Sequence, residues 1–566
     1  MPEVVSKIVP LRDKGKMNLE TGQVWRNYVF WESGVKDVNG KRSKMIKVSI
    51  KSHDGDRVLK ARKGDRLLDV LRSAGAEVYS PCGGNGRCGK CLVTIRGKGI
   101  RLACHYLLEH DIELALPKHE AALIVESEQM LQKTITLDCG IEKICKNGIV
   151  TVSYKGRSLW PSIKSSPETD KLYGIAVDIG TTTVVVFLQD LTSGKTVGVE
   201  SFINPQAAYG HDVISRIHHT MEHTGGLAGL RAMLAAGINE AIDALCRRTG
   251  ISNRNIFKTT VAGNPTMLHF FLGKNPSSIA CAPYKPLFTE AQQTTGNECG
   301  LCMNPAGVVQ VLPSISGFVG ADVVAGIATT PFVDTDGFSL YIDIGTNGEM
   351  AVGNREKMFC CSTAAGPAFE GATLHCGAGG VEGAICSFAD GRYTTIGGCA
   401  PVGICGSGIV DIVAFLLENE IIDHNGYMDE AYRIEQKERT ATGEDIVLTP
   451  RDVREVQLAK AAIRAGVTIL AKSAGISLDA VETVYLAGAF GNFMNIANST
   501  AIGLIPKQLA DKVVCVGNAA GYGARLALCS VDFEESLGRI AAKAHYIELS
   551  GRNDFNEEFV KEIEFA

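Results

Sequence analysis

Residues 173–202 read "YGIAVDIGTTTVVVFLQDLTSGKTVGVESF", and the opening of that stretch returns at 339–360 as "SLYIDIGTNGEMAVGNREKMFC". Each copy is an apolar strand that ends in Asp-Ile-Gly-Thr, a tight turn and a second apolar strand; in the first copy a "TSGK" turn leads into a third strand. The first turn carries Asp178, Gly180, Thr181, Thr182 and Thr183, and the second carries Asp343, Gly345, Thr346, Asn347 and Glu349. A separation of 165 residues points to two related lobes rather than to a short repeat. A glycine turn with successive hydroxyls and N–H groups cradles phosphate, and an aspartate at the strand end holds Mg²⁺ through water. Two facing loops of this kind clamp a triphosphate. One alone says little, because Asp-Ile-Gly ends many ordinary strands. A third element, "VETVYLAGAFGNFMN" at 481–495, adds a strand through Val484 to Leu486, followed by Gly488 and Gly491 for the nucleoside. No Walker-type loop and no G-x-G-x-x-G after a first strand competes with this reading.

Nearer the start, "PCGGNGRCGKC" at 81–91 and "RLAC" at 101–104 place Cys82, Cys88, Cys91 and Cys104 in a C-x5-C-x2-C-x12-C pattern. Four thiolates suit a 2Fe-2S cluster, with glycines letting the loop wrap the inorganic sulfides. A structural zinc ion also takes four cysteines, but it favours two C-x2-C knuckles, and only Cys88 and Cys91 have that spacing. Before the cysteines, "MIKVSIKS" and "RVLKARKG" read as a hairpin with Asp54-Gly55 at its tip, and "DRLLDVLRSAG" reads as a helix capped by Asp65. Strand, strand, helix and cysteine loop is the order of a β-grasp fold. The motif is similar to plant-type and adrenodoxin-type 2Fe-2S ferredoxins, apart from a shortened gap before Cys104.

The paired loops with "LAGAFGN" resemble the ASKHA superfamily of acetate and sugar kinases, chaperone ATPases and actin. That resemblance implies a catalytic carboxylate or amide on the helix before the second phosphate loop. Asp322 in "SGFVGADVVAGIATTPF" fits the role of general base or water-orienting residue; a helix-cap or surface aspartate is the alternative. The expected fold class is thus α/β multidomain, a β-grasp 2Fe-2S ferredoxin domain followed by a two-lobed actin-like (ASKHA, ribonuclease H-like) ATPase. The expected boundaries are an extension over 1–44, a ferredoxin-like domain over 45–125, a linker over 126–172, and lobes over 173–335 and 336–566. Trp25 and Trp31, among charges in the extension, suit either a docking segment or a poorly ordered tail.

A ferredoxin fused to such an ATPase, with "NPQAAYGHDVISRI" (204–217), "AGNPTMLHFFLG" (262–273), "AAGPAFEGA" (364–372) and "LAGAFGNFMNIANSTAIGLIP", resembles the reductive activators of corrinoid proteins. The resemblance implies reduction of an inactive Co(II) corrinoid to methyl-accepting Co(I) with ATP and Mg²⁺. It further implies a corrinoid protein of a methyltransferase system as partner, a low-potential electron donor and a homodimer. The three internal motifs are candidates for partner contact or lobe closure, with turn and packing roles equally open. The alternatives are an activator of another low-potential metalloenzyme, a redox-gated small-molecule kinase, and a filament-forming or sensor protein.

The bulk properties agree with a multidomain protein. At 566 residues the chain is too long for one core. A net charge of −5 gives no basic field for nucleic acid or an anionic membrane. No apolar run approaches a bilayer span and the first residues lack a signal-peptide core, so a cytoplasmic location is expected. Most of the 18 cysteines stand singly and read as reduced buried thiols. Neither Cys360-Cys361 nor the Cys299/Cys302 pair has a second pair nearby to complete another cluster.

Overall fold

The computed structural model describes residues 45–51, 57–74, 78, 91–116, 133–146, 149–158, 163–164, 171–210, 212–305, 307–366, 368–371, 373–488 and 494–566. Strand Ile46–Lys51 alternates Ile46, Val48 and Ile50 inward with polar residues outward. It pairs antiparallel with Arg57–Ala61 and parallel with Ile112–Ala115, which continues the sheet to the hairpin Leu92–Ile95 and Gly99–Leu102. Helix Leu67–Ser73 buries Leu67, Leu68 and Leu71 in the same small core as Val48, Ile50, Val93 and Leu114. This is the β-grasp arrangement. Asp65 does not cap the helix: its carboxylate accepts from the Arg62 N–H at 2.7 Å and closes the preceding turn, leaving Arg66 as the capping position.

The segment read as a linker over 126–172 contains a sheet. Ile141–Lys146 and Ile149–Tyr154 pair antiparallel, with Arg157–Ser158 and Ile163–Lys164 added to the second strand. This sheet is fixed to the body of the molecule by a buried ionic group. The fully buried Lys258 ammonium lies 2.8 Å from Glu534 and donates to the carbonyls of Cys139 and Ala527. The Tyr154 hydroxyl donates to Glu534 at 2.9 Å, and Lys155 reaches the same carboxylate at 3.1 Å. Glu534 therefore gathers three donors, which is how a buried carboxylate offsets its desolvation.

Among the described residues two six-stranded sheets form most of the rest, with a three-stranded sheet of Ala384–Ala389, Arg392–Thr395 and Gly403–Ile404 and a two-stranded pair, Tyr432–Glu435 with Ile446–Leu448, as additions. In the first, Tyr173–Ile179, Thr183–Asp190 and Lys195–Ile203 make an antiparallel meander. Ile256–Gly263 adds parallel to the other side of Tyr173–Ile179, followed by Val308–Val311 and the edge strand Gln292–Thr295. The second repeats the plan: Phe338–Ile344, Gly348–Gly353 and Met358–Thr363 form the meander, and Val481–Ala487 and Val513–Gly517 add in parallel. Ala544–Tyr546 closes its far edge. The central strands are mostly apolar because helices or loops cover both faces, and the polar residues they do bury, such as Lys258 and Thr260, are hydrogen-bonded.

Residues 336–566 are not confined to the second core. Helices Ala519–Cys529 and Val531–Lys543 contribute Ala519, Ala524, Leu528, Phe533 and Leu537 to the core of the first sheet, and Thr260 donates to the Ala524 carbonyl at 2.7 Å. The chain thus crosses back, tying the two sheets together. Among the described residues no helix is long and apolar enough to cross a membrane.

Candidate functional site

Asp178 and Asp343 stand at equivalent places, the penultimate residue of the central strand in each sheet, in register with Ala262 and Ala487 of the parallel neighbours. The carboxyl ends of parallel strands are where crevices form in such sheets. The turn after Asp178 is closed by the Gly180 N–H donating to the Thr183 carbonyl at 2.9 Å. A Cβ on Gly180 would lie 2.6 Å from that oxygen, so only glycine fits. Later segments hold the loop in shape. Asn204 donates to the Gly180 carbonyl at 2.9 Å, and Arg216, fully buried, donates to the Thr181 carbonyl at 2.6 Å and the Gly210 carbonyl at 2.9 Å. Asn264 donates to the Thr181 hydroxyl at 3.0 Å.

The turn after Asp343 closes one residue tighter, with the Gly345 N–H donating to the Asn347 carbonyl at 2.9 Å. Gly488 adopts φ +93 and donates its N–H to Gly517. A Cβ there would meet the Asp343 carboxylate at 3.0 Å and the Ile344 carbonyl at 3.1 Å, so glycine lets the backbone at 488 come close to the second turn. Gly491 lies outside the described residues, as do Cys82 and Cys88. Glu370 links the two turns: it accepts from Thr182 of the first at 3.2 Å and from Thr346 of the second at 3.0 Å.

Asp322 lies in the first turn of helix Ala321–Ala328 and accepts the Val323 N–H at 2.8 Å. It couples electrostatically to both strand-end aspartates. Burial, then Asp322, raises Asp178 to about 7, against a bond from Asn518 that lowers it. Burial, then Asp322, Asp178 and Glu370, raises Asp343 to about 7. Burial raises Asp322 itself to about 6, partly offset by backbone N–H groups. Glu349, beside Asp343, is pushed well above the carboxylate range by burial and by Asp322 and Asp343. Among the described residues no cation counters these shifts. Gathered carboxylates with solvent access and, among the described residues, no ammonium or guanidinium partner suit a hydrated Mg²⁺.

Of the expected site residues, the structure thus brings Asp178, Asp322 and Asp343 together and sets the Gly180–Thr183 and Gly345–Asn347 turns on either side of Glu370. Asn204, Arg216, Asn264 and Glu370 were legible only as members of motifs. Their contacts now tie "NPQAAYGHDVISRI", "AGNPTMLHFFLG" and "AAGPAFEGA" to the two Asp-Ile-Gly-Thr turns.

In the β-grasp unit Cys91 and Cys104 are both buried and free of disulfides. The Cys104 N–H donates to the Cys91 sulfur at 3.2 Å, and the Ala103 N–H donates to the Cys91 carbonyl at 2.7 Å. A backbone N–H aimed at sulfur stabilises thiolate and fits an iron–sulfur ligand. Cys360 and Cys361, by contrast, are buried in strand Met358–Thr363, where burial pushes Cys360 up to about 12.

Comparison with known proteins agrees with this layout. Residues 50–114 match the 2Fe-2S iron-sulfur cluster binding domain, 173–334 the RACo middle region, and 337–566 the C-terminal ASKHA domain of RACo. The chain is 34% identical to corrinoid activation enzyme RamQ of Eubacterium limosum over 88% of its own length and 96% of that protein. It is 25% identical to a [Co(II) methylated amine-specific corrinoid protein] reductase of Methanosarcina barkeri, covering 70% of this chain and 77% of that one. A solved reductive activator for a corrinoid, iron-sulfur protein superposes with a TM-score of 0.71 at 31% identity, over 92% of this chain and 98% of that one. With the cysteine-bearing β-grasp unit, the middle region and the ASKHA unit in the same order along nearly the full length, the chain belongs to the RACo family of corrinoid-activating proteins.

Proposed function

We propose that the protein uses ATP to drive the reduction of a corrinoid protein's cobalt from Co(II) to Co(I), the state that accepts a methyl group. The observation that carries this is the union in one chain of a β-grasp unit that brings Cys91 and Cys104 together and two Asp-Ile-Gly-Thr turns meeting near three coupled aspartates. A 2Fe-2S cluster held by Cys82, Cys88, Cys91 and Cys104 would supply a one-electron carrier to the partner's cobalt. Plant-type clusters sit near about −400 mV. Each further 100 mV downhill in acceptor potential costs roughly 2.3 kcal/mol for one electron, which is the need ATP meets.

In the cleft, Gly180, Thr181, Thr182 and Thr183 face Gly345, Thr346 and Asn347 as the cradle for the phosphates, and Gly488 with Gly491 takes the nucleoside. Asp178 and Asp343 would hold Mg²⁺ through water, and its charge would favour the ionised form of two carboxyls that otherwise keep their protons near neutrality. Asp322 orients the attacking water and takes its proton; a carboxylate near 6 is well matched to that task at neutral pH. Its Oδ1 is engaged by the Val323 N–H, so Oδ2 is the atom offered to water. The partner is a corrinoid protein, and the electron comes from a low-potential donor.

The test is anaerobic visible spectroscopy of a Co(II) corrinoid protein mixed with this protein and a low-potential reductant, with and without Mg-ATP. The Co(I) band is expected only with ATP. If the protein reduces and turns over ATP while several corrinoid proteins stay Co(II), the client is another low-potential metalloenzyme. Phosphoryl transfer to an added sugar or carboxylate would instead mark a kinase.

A further inference from the structure

Glu370 comes from "AAGPAFEGA", a segment anchored by the buried Ala368 and Phe369 beside it. One oxygen, Oε2, accepts both the Thr182 hydroxyl of the first phosphate-loop turn and the Thr346 hydroxyl of the second. The other, Oε1, lies 3.6 Å from where a Cβ on Gly345 would sit, at the glycine of the second turn. A carboxylate oxygen taking two hydroxyl donors, one from each side of the cleft, occupies the bonding position that suits an oxygen of a bound phosphate. Two anions do not share one pair of donors. Glu370 also raises Asp343, so its charge is felt at the proposed metal position.

Resting on the nucleotide reading above, we infer that Glu370 is an internal competitor for the terminal phosphate and so sets the discrimination between ATP and ADP. With ADP bound, Glu370 keeps both hydroxyls and latches the two turns to each other. With ATP, the γ-phosphate takes Thr182 and Thr346, and Glu370 gives them up. Its segment, fixed beyond it by Phe369, is then released from the first turn. Presence of the γ-phosphate is thereby converted into loss of a contact that spans the two sheets, the kind of bistable element a nucleotide switch requires.

The experiment is isothermal titration of the full-length protein with Mg-ADP and with Mg-AMP-PNP, comparing wild type with Glu370→Gln and Glu370→Ala. Both variants lose the charge, and Glu370→Gln keeps the shape if Glu370→Ala misfolds. The expected result is a gain of about tenfold in AMP-PNP affinity, the size of one like-charge contact removed from a partly solvated site, with ADP affinity within about twofold of wild type. Weaker AMP-PNP binding, or an equal change for both nucleotides, would overturn the latch. Failure of wild type to bind either nucleotide would instead overturn the ATP site itself.

Discussion

Replacing Asp343 by Asn should make the nucleotide-free protein more stable, and more so at high pH. Asp343 keeps its proton up to about 7, against 3.8 for the ordinary side chain, because burial comes first and then the charges of Asp322, Asp178 and Glu370 oppose its ionisation. A carboxyl raised in the folded state binds a proton there that the unfolded chain has released. Stability from this group is therefore complete below about pH 4 and is lost as pH rises through 7. At 1.36 kcal/mol for each pH decade, the folded protein bears roughly 4 kcal/mol at pH 8 and under about 2 kcal/mol at pH 5. The side chain retains part of its solvent contact, which reduces the realised gain at pH 8 to about 2 kcal/mol. For a unit of roughly 390 residues, at about 2.1 cal/mol/K per residue, that corresponds to roughly 2–3 °C in Tm. The assay is thermal unfolding of full-length wild type and Asp343→Asn in EDTA from pH 5 to 8, repeated with Mg-ADP. The variant should melt higher at pH 8, converge on wild type toward pH 5, and fall below it once Mg-ADP is present. A variant less stable than wild type at pH 8 in EDTA, or a pH-independent difference, would refute the electrostatic reasoning.

Asp322→Asn keeps the size and the Val323 contact but removes the proton acceptor, so ATP turnover should fall about 100-fold or more with nucleotide affinity little changed; single-turnover hydrolysis beside titration checks the split. Cys104→Ser should abolish the visible 2Fe-2S absorption while leaving Mg-ADP binding intact, since Cys104 and the phosphate-loop turns belong to separate cores. Lys258→Met leaves Glu534 buried with only Tyr154 and Lys155 as donors. That change should cost roughly 3 kcal/mol or more and expose the 141–158 sheet to protease before the rest of the chain unfolds, a pattern that timed proteolysis with mass spectrometry reads directly.

The two meanders were legible because each couples a wholly apolar strand to Asp-Ile-Gly-Thr, and such a pair leaves few alternatives. The β-grasp hairpin was legible because Ile46, Val48 and Ile50 alternate with polar residues before a second strand. The sheet inside residues 141–164 was hidden by the polar run "SIKSSPETDK", although Ile141–Lys146 and Ile149–Tyr154 flank Asn147-Gly148, a strong hairpin signal. What pins that sheet, Lys258 with Glu534, joins residues 276 apart in sequence, and no local pattern announces such a pair. The same holds at the site. Asp178 and Asp343 stood out by position at strand ends and Asp322 through the superfamily resemblance, whereas Arg216 and Glu370 gain their meaning from contacts with Thr181, Thr182 and Thr346 that appear only after folding. The return of Ala519–Cys529 to the first core was invisible for that reason as well.

The claim that ATP turnover in the cleft gates electron delivery to cobalt is tested most directly by anaerobic stopped-flow formation of Co(I) on a corrinoid protein. The pre-reduced wild type and the Asp322→Asn variant are each mixed with that protein and Mg-ATP. The expected result is Co(I) formation by wild type alone, with both proteins equally reduced at the start and equally able to bind nucleotide. Equal rates of Co(I) formation by the two would contradict the coupling.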